Sequence, residues 1–497
     1  MRLPFILLST LLLLCTNSTF SQQIKGQIVD AKTKEPIAFA TVQFNGNNGV
    51  VSNMEGFFTM PSEGLDFDSI LSVSFMGYET QRLTIQRLKD QSHILKLNES
   101  INQLNTVYLT NRVPSVDSIM ARVHKNLELN YQFSDVHYTL FTRETTYYKA
   151  HDLKMNIEKS SGFNKKQLEA SNKQFGELTN SIVNNPPTQM FTDVLSDIYL
   201  KSDYKGKMEV RQATKLIDLK NNLTLETIQS KVSAIALQHL DTTKTYKVKT
   251  GWFKVEDSLS FKKSKEVGKD SANNNFEKVK SDNINTIKEH LFDSASVLDF
   301  VLDTKDYNYQ LINLTTIDDQ LVYIINFKPK KSKAKFQGTL YINDEDHAIL
   351  KLDYGYAEGK IGEKLNLKLL LGVKYIEKVN KGTVIYKRNP ESKNYYPYYI
   401  NHESGRYVYA HRPFKFTENS NIIKNKVAFD MTLEGTIVQK QELMSLDYKP
   451  FDSILFNEIT EAKKVDYIKL KQYDSSIWQD YTIMEPLEEL KKFKVED

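Results

Sequence analysis

Side chains that could bind a ligand are concentrated between residues 395 and 412. Tyrosine rings can stack on a sugar or a peptide, and the imidazole, guanidinium and hydroxyl groups beside them can form directional hydrogen bonds. Alternating tyrosines also pair across strands and fill the inner face of a sheet, and the 27 tyrosines of this chain favour that structural role. If the segment has a function, we expect it to be binding. The candidate binding residues are Tyr396, Tyr398, His402, Arg406, Tyr407 and Tyr409.

The motifs of the common hydrolytic and nucleotide chemistries are absent from the sequence. None of the 9 His residues is followed three positions later by Glu, so the paired ligands of a zinc carboxypeptidase are missing. The chain also lacks Gly-x-Ser-x-Gly and the glycine-rich loops that hold phosphates. We therefore predict no catalytic residues, no metal site and no cofactor. Glycosidases remain open, because their two carboxylates can lie anywhere in the sequence.

Two smaller sets could bind a metal in principle. The acidic run 344–346 brings three carboxylates into one segment, but no glycine there allows the sharp wrap of a calcium loop. We interpret that run as a solvated hairpin turn. His402, Glu403 and His411 combine imidazoles with a carboxylate, and their geometry cannot be read from spacing. We predict no metal at either set.

The first 21 residues have the features of a secretory signal peptide. Arg2 precedes an apolar run from Phe5 to Leu14, and small residues suitable for cleavage follow. That run is too short to span a bilayer of about 30 Å. Cys15 would be the lipidated residue of a lipoprotein, but Leu14 fits a lipobox poorly. We expect export to the periplasm, the outer membrane or the cell surface.

Composition argues against two other classes of partner. The net charge is +4, with lysines and arginines interleaved among acidic residues, whereas a nucleic-acid platform needs a concentrated basic face. No later stretch approaches eighteen apolar residues, so we predict no transmembrane helix.

Residues 24–109 have the pattern of a small antiparallel β-sandwich. The segments 24–30, 35–44 and 70–78 alternate apolar with polar residues, and turn-forming residues separate them. This stretch resembles the carboxypeptidase-regulatory-like (transthyretin-like) domain found in envelope proteins of Bacteroidota. The resemblance implies an accessory module that carries no chemistry of its own.

The rest of the chain changes from mixed to strand-like patterning. Apolar residues at helical spacing from Val116 to Leu127 predict a helix, and from about Asp299 the apolar period becomes two. We predict a mainly β fold with some helix: an N-terminal antiparallel β-sandwich, a helical linker region, then a large curved antiparallel sheet. Strands are expected at 321–327, 336–342, 348–354, 365–375, 383–387, 395–400, 406–410 and 427–438, and the tail at 477–493 should dock as an extended segment followed by a helix.

The same patterns suggest domain limits. We expect a signal peptide at 1–21, the sandwich at 22–110, a mixed helix and strand region at 111–240, and a large antiparallel β domain at 241–497. Within the last domain, the polar composition of about 262–285 predicts a mobile loop.

Three functional hypotheses follow. The leading one is a non-catalytic cell-envelope protein that combines the sandwich as an interaction module with a binding or assembly surface on the large sheet. Its partner would be another envelope protein or a glycan or peptide ligand. The alternatives are a polymer-degrading hydrolase whose carboxylates cannot be paired by sequence, and an accessory component of a TonB-linked outer-membrane uptake complex.

Overall fold

A computed structural model describes residues 23–495, except 45–47, 63, 101–113, 218–242, 251–252, 261–275, 294–295, 318–319, 421–424, 480 and 482. The predicted signal peptide and Cys15 lie outside the described residues. The described part of the chain is mainly β and divides into two compact units. Met1–Ile101, Thr315–Asp319 and Asp474–Lys491 supply the first unit, and the remaining residues supply the second. The predicted domain limits at 110 and 240 remain predictions.

The strands are numbered in chain order. They are β1 (Gln23–Asp30), β2 (Thr41–Phe44), β3 (Asn48–Val51), β4 (Phe57–Pro61), β5 (Ile70–Ser74), β6 (Gln81–Thr84), β7 (Ile94–Leu97), β8 (Val136–Ser160), β9 (Thr188–Leu200), β10 (Gly206–Ile217), β11 (Thr245–Thr250), β12 (Phe253–Ser260), β13 (Tyr307–Ile317), β14 (Gln320–Pro329), β15 (Phe336–Asn343), β16 (Ile349–Tyr356), β17 (Lys364–Leu367), β18 (Val373–Arg388), β19 (Tyr395–Glu418), β20 (Lys426–Pro450) and β21 (Ile468–Leu470).

The helices are shorter and fewer. They are α1 (Ile85–Asp90), α2 (Val116–Asn130), α3 (Lys165–Asn184), α4 (Phe276–Glu289), α5 (Asp299–Leu302), α6 (Lys368–Leu371), α7 (Ser453–Glu458) and α8 (Glu488–Lys492), with 3-10 turns at Thr304–Asp306 and Ser475–Trp478.

The first unit contains two small sheets around one apolar core. Their strand orders are β4-β1-β7 and β3-β2-β5-β6. Ala40, Val42, Leu71 and Val73 are fully buried between them, as their alternation predicts. The predicted antiparallel arrangement is wrong at one place, because β1 pairs with β7 in parallel. These two strands can run parallel because a long connection that includes β2–β6 and α1 separates them in the chain.

A 14-stranded sheet organises the second unit. Its main strand order is β13-β14-β15-β16-β18-β19-β20-β8-β9-β10-β21. From β14 to β10 the pairs along this order are antiparallel, and β10 and β21 run parallel. Strands β8, β19 and β20 are 24 or 25 residues long and form the centre of the sheet.

Helices α3 and α4 pack on the same face of this sheet. The Phe175 ring of α3 meets the Phe429 ring of β20 edge-on, with centroids 6.4 Å apart. The Thr286 hydroxyl of α4 donates to Gln441 of β20 over 2.8 Å. Phe429 and Gln441 are both odd-numbered residues of one strand whose pairing with β19 has no register shift, so they share a face. We call this the helix face, and the opposite side the polar face.

Some predicted elements differ from the structure. Strands predicted at 395–400 and 406–410 are one strand, β19, and 365–375 is interrupted by helix α6, which ends at Gly372 in a left-handed conformation. Of the predicted loop at 262–285, residues 262–275 lie outside the described residues. The last ten residues, 276–285, belong to helix α4. That helix forms because Phe276, Ile284 and Ile287 are spaced to share one buried side, despite the polar average. In the tail, 475–478 is a 3-10 turn, not an extended segment.

Candidate functional site

A row of polar side chains crosses nine strands of the large sheet in direct register. Each member is the cross-strand partner of the next, and Glu442, an even-numbered residue of β20, places the row on the polar face. We call it the polar row. From β14 to β10 its members are Asn326, Thr339, Asp353, Thr383, Asn401, Glu442, Arg143, Asp193 and Thr214.

The β8–β20 end of the polar row is buried. Arg143 donates to both carboxylate oxygens of Asp193, over 2.8 and 2.7 Å. Burial opposes the charge of Arg143, but the carboxylate of Asp193 outweighs it and raises the pKa of the guanidinium. The Tyr399 hydroxyl donates to Glu442 over 3.0 Å. Burial raises the pKa of Glu442, although Arg143 acts against that rise. This end is a closed ionic cluster and offers no substrate cleft.

The β14–β16 end of the polar row opens into a pocket of about 760 Å³ on strands β13 to β16. Within it, the Thr339 hydroxyl donates to the amide oxygen of Asn326 over 2.9 Å. Asp353 accepts from Thr383 over 2.6 Å and pairs with the Lys351 ammonium over 3.0 Å. The polar lining residues are Asn308, Gln310, Asn326, Lys328, Gln337, Thr339 and Asp353.

Four aromatic residues belong to the same strand segments, but their rings lie on the helix face. They are Tyr309, Phe327, Tyr354 and Tyr356. Tyr354 is in register with His402 through Gly382, and the Tyr309 hydroxyl donates to the carbonyl of Phe300. Antiparallel strands hold all these residues in fixed register, so the hydrogen-bonding groups are presented from a rigid frame. Among the lining residues, Asp353 is the single carboxylate and Lys328 the single ammonium. The arrangement suits a polar ligand of little net charge.

Two of the predicted binding tyrosines are structural. Tyr396 and Tyr398 are both buried in strand β19. The Tyr396 ring stacks on Tyr448, with centroids 4.0 Å apart and planes 2° from parallel. Burial raises the pKa of both Tyr396 and Tyr398. Their position matches the cross-strand packing that the sequence favoured.

His402 is half-buried and belongs to a second network, which includes the fully buried His290 at the end of helix α4. Its ring lies 5.8 Å from that of His290, and it shares a 3.2 Å hydrogen bond with Asn380. Burial lowers the pKa of both histidines, and that of His290 falls to about 3. Arg406, exposed on the same face of β19, also lowers the pKa of His402. These groups lie on the helix face, away from the polar row.

Tyr407 and Tyr409 lie on the polar face instead. The Lys368 ammonium is 4.1 Å from the centroid of the Tyr409 ring, and Lys374 is 5.4 Å from that of Tyr407. Burial and a hydrogen bond to Glu434 raise the pKa of Tyr407 to about 12. The structure therefore divides the six predicted residues among a buried pair, a histidine network and a lysine-capped pair. It does not bring them together into one site.

The acidic turn 344–346 is fastened to neighbouring elements. The Asp346 carboxylate accepts from the Tyr395 hydroxyl over 2.9 Å, and its carbonyl accepts from Asn126 and Asn130 of α2. In the part of the chain that the structure describes, no cluster of three His, Cys, Asp or Glu side chains is placed to hold a metal. None of the described helices has both the length and the apolar character to span a bilayer.

Sequence reasoning missed the pocket on β13 to β16. Its polar residues are ordinary outward positions of short strands, and three of those strands were predicted. An available signal was the polar position that recurs in each strand, at Asn326, Thr339 and Asp353, but only the pairing register shows that these positions meet.

Comparison with known proteins supports the N-terminal part of this description. Residues 24–109 match the family described as CarboxypepD_reg-like domain, which confirms the predicted N-terminal domain and indicates no enzyme family. No curated protein matches the chain.

Two similar solved structures share 9% identity with the chain, and each comparison covers 69% of this chain and 98% of the other. One is a LolA superfamily protein from Nitrosomonas europaea, with a TM-score of 0.19. The other is a domain from Vibrio parahaemolyticus assigned to outer membrane lipoprotein-sorting proteins, with a TM-score of 0.20.

Proposed function

We propose that this chain is a non-catalytic cell-envelope protein that binds a neutral glycan in the pocket on strands β13 to β16. The regulatory-like N-terminal domain would serve as an interaction module for another envelope protein. The proposal rests on one observation: the pocket lining combines amide and hydroxyl side chains with a single carboxylate and a single ammonium.

Sugars match this lining chemically. Each sugar hydroxyl both donates and accepts, as do the side-chain amides of Asn308, Asn326 and Gln337. The lining offers little attraction to an anionic ligand, because Lys328 is its one ammonium and the neighbouring Lys351 is already paired with Asp353.

The same lining argues against glycoside hydrolysis. That reaction uses two carboxyl groups about 5 to 10 Å apart on either side of the bond that breaks. Asp353 has no second carboxylate among the lining residues, and it is already engaged by Thr383 and Lys351. Glu442 has the raised pKa of a general acid, but it is buried in the ionic cluster with Arg143.

An envelope location is supported by the predicted signal peptide and by the regulatory-like domain. A partner within an outer-membrane complex, including a TonB-linked transporter, belongs to the same proposal. Copurification of such a complex with the tagged chain would identify that partner.

The test of glycan binding uses the purified mature chain and a library of cell-wall and other neutral oligosaccharides. Retention and cleavage are followed together, and hits are measured by calorimetry. We expect retention without turnover. Reproducible cleavage would overturn the non-catalytic part of the proposal, and no retention of any member would overturn glycan binding.

Pocket variants assign the binding to this site. Asn326→Ala and Gln337→Ala should each weaken binding about tenfold, because each removes a hydrogen bond from a desolvated ligand. The matched control is Gln132→Ala, which removes an exposed amide outside the pocket. Equal loss in the control, or no loss in the pocket variants, would place the binding elsewhere.

A further inference from the structure

The most exposed apolar side chains of the described residues lie at the tip of one hairpin. Strands β17 and β18 are joined by helix α6, and we call residues 367–371 the leucine turn. Leu369 is 100% exposed and Leu370 is 82% exposed, while Leu365 at the base is 48% exposed. Leucines exposed to this degree contribute nothing to the core of the residues that the structure describes.

The leucine turn has a defined conformation. Gly372 ends it with a φ of 63°, and its N–H donates to the Lys368 carbonyl over 3.0 Å. The His411 N–H donates to the Gly372 carbonyl over 2.7 Å, and a Cβ at residue 372 would overlap the carbonyl oxygen of His411. The glycine therefore permits a close fit to β19 that holds Leu369 and Leu370 outward.

The hairpin that carries the leucine turn is itself positively charged. From Lys364 to Ile376 the chain carries three lysines and no acidic residue. The Lys368 and Lys374 ammonium groups lie against the rings of Tyr409 and Tyr407, so their positions are fixed beside the turn. Glu363 and Glu377 lie at the base of the hairpin, where the Gly362 N–H donates to the Glu377 carbonyl.

We propose that the leucine turn inserts shallowly into the surface of an anionic phospholipid bilayer. Leu369 and Leu370 enter the boundary between headgroups and acyl chains, while Lys364, Lys368 and Lys374 meet the headgroup phosphates. Apolar side chains backed by cations are the combination that anionic leaflets attract. This surface is separate from the pocket on β13 to β16 and goes beyond the proposed glycan binding.

A protein partner fits this tip less well. A stable protein interface buries about 1,200 Å² or more in total, and a five-residue turn supplies a small part of that area. Two leucines that stand clear of neighbouring side chains form a projection, whereas interface cores are wide and closely packed.

The test is cosedimentation of the full mature chain with large vesicles of phosphatidylcholine containing 30% phosphatidylglycerol, and with pure phosphatidylcholine vesicles. The wild-type chain should bind the anionic vesicles and lose most of that binding in 0.5 M NaCl. Leu369→Ser/Leu370→Ser should weaken binding at least about tenfold, because two leucines no longer leave water. Lys368→Gln/Lys374→Gln should weaken binding to the anionic vesicles only.

The matched control is Ile454→Ser/Leu455→Ser. It removes an exposed apolar pair on α7, where Asp452 and Glu458 balance Lys201 and Lys207, whose ammonium groups lie over the Phe456 ring. That variant should bind like wild type. Failure of the wild-type chain to bind, or unchanged binding of the double serine variant at the leucine turn, would overturn the proposal. So would ultracentrifugation showing a dimer that the leucine variant dissociates, because a second copy would then cover the turn.

Discussion

Arg143 and Asp193 form a two-point ion pair between the adjacent strands β8 and β9, over 2.8 and 2.7 Å. Both side chains are only 3% exposed. They are also direct cross-strand partners, so the pair is made only when β8 and β9 are in this register. If β8 slipped by one residue relative to β9, the guanidinium and the carboxylate would each be buried without the other. The ion pair therefore favours this strand register at the centre of the sheet.

Breaking this pair should destabilise the second unit. Arg143→Met should lower its free energy of unfolding by about 3–5 kcal/mol, because Asp193 would remain buried without a counter-charge. Arg143→Met/Asp193→Leu should recover most of the loss. Lys154→Met is the control, since it removes an exposed pair with Asp152 of 2.7 Å and should change stability little. Denaturant unfolding measures all three, and equal losses for the two single variants would contradict the prediction.

The sequence predicts much of the fold because apolar alternation is a local signal. The sandwich core and the hairpin of β15 and β16 follow from it directly. Strand β19 was predicted as two pieces, since Asn401, Glu403 and Ser404 interrupt the apolar pattern. In the structure, Asn401 joins the polar row and Glu403 pairs with Lys381 over 3.3 Å. Strand β19 therefore continues through a polar segment because its polar residues pair with residues that are distant in sequence.

Strands β15 and β16 approach each other closely beneath the pocket, and a glycine permits this approach. A Cβ on Gly338 of β15 would overlap the backbone of Asp353 on β16. Gly338→Ala should therefore cost about 1–3 kcal/mol of stability and weaken glycan binding, because the strands must move apart. Gly355→Ala is the control in the same pocket, where the nearest atom to the new Cβ is a side-chain carbon at 3.2 Å. Similar thermal stability and glycan affinity in the two variants would show that the strands can adjust freely.

The candidate site was harder to predict than the fold. The tyrosine cluster at 395–409 is dense in sequence, yet alternation sends Tyr407 and His402 to opposite faces of β19. The pocket residues are spread over four strands, and register alone brings them together. The leucines of the leucine turn fit a β pattern, and the sequence therefore predicts a strand there. In the structure, Gly372 has a positive φ, which allows the chain to turn.

Within the first unit, the C-terminal segment is fastened to the sandwich through Asn53. The side-chain amide of Asn53 donates to the carbonyls of Glu485 and Pro486 over 3.2 and 3.3 Å. Asn53→Ala should lower the stability of this unit by about 1–3 kcal/mol and increase hydrogen exchange in 474–491, because buried carbonyls lose their donor. Gln86→Ala, which removes an exposed bond to Asp90, is the control. Unchanged exchange in 474–491 would show that Asn53 does not hold this segment.

Histidine 290 should make the stability of the second unit depend on pH. Its Nδ1–H donates to the Thr286 carbonyl over 2.7 Å, which leaves Nε2 of the neutral ring to accept from the Tyr354 hydroxyl over 2.9 Å, and this second bond requires the neutral ring. Burial, and then the nearby His402, lower the pKa of His290 from 6.5 to about 3. Between those values the unfolded chain binds a proton that the folded chain does not, so the free energy of unfolding falls as the pH falls.

Each pH unit between 6.5 and about 3 should therefore remove about 1 kcal/mol through this residue. His290→Asn keeps a donor for the Thr286 carbonyl and has no side chain that titrates. It should be less stable than wild type at pH 7.5, where the neutral His290 ring makes both of its hydrogen bonds. The difference should shrink as the pH falls towards 5, because only the wild-type chain loses this contribution. His151→Asn controls for the loss of one exposed imidazole. Denaturant unfolding at several pH values measures the slopes, and parallel curves for wild type and His290→Asn would show that residue 290 is not held neutral in the fold.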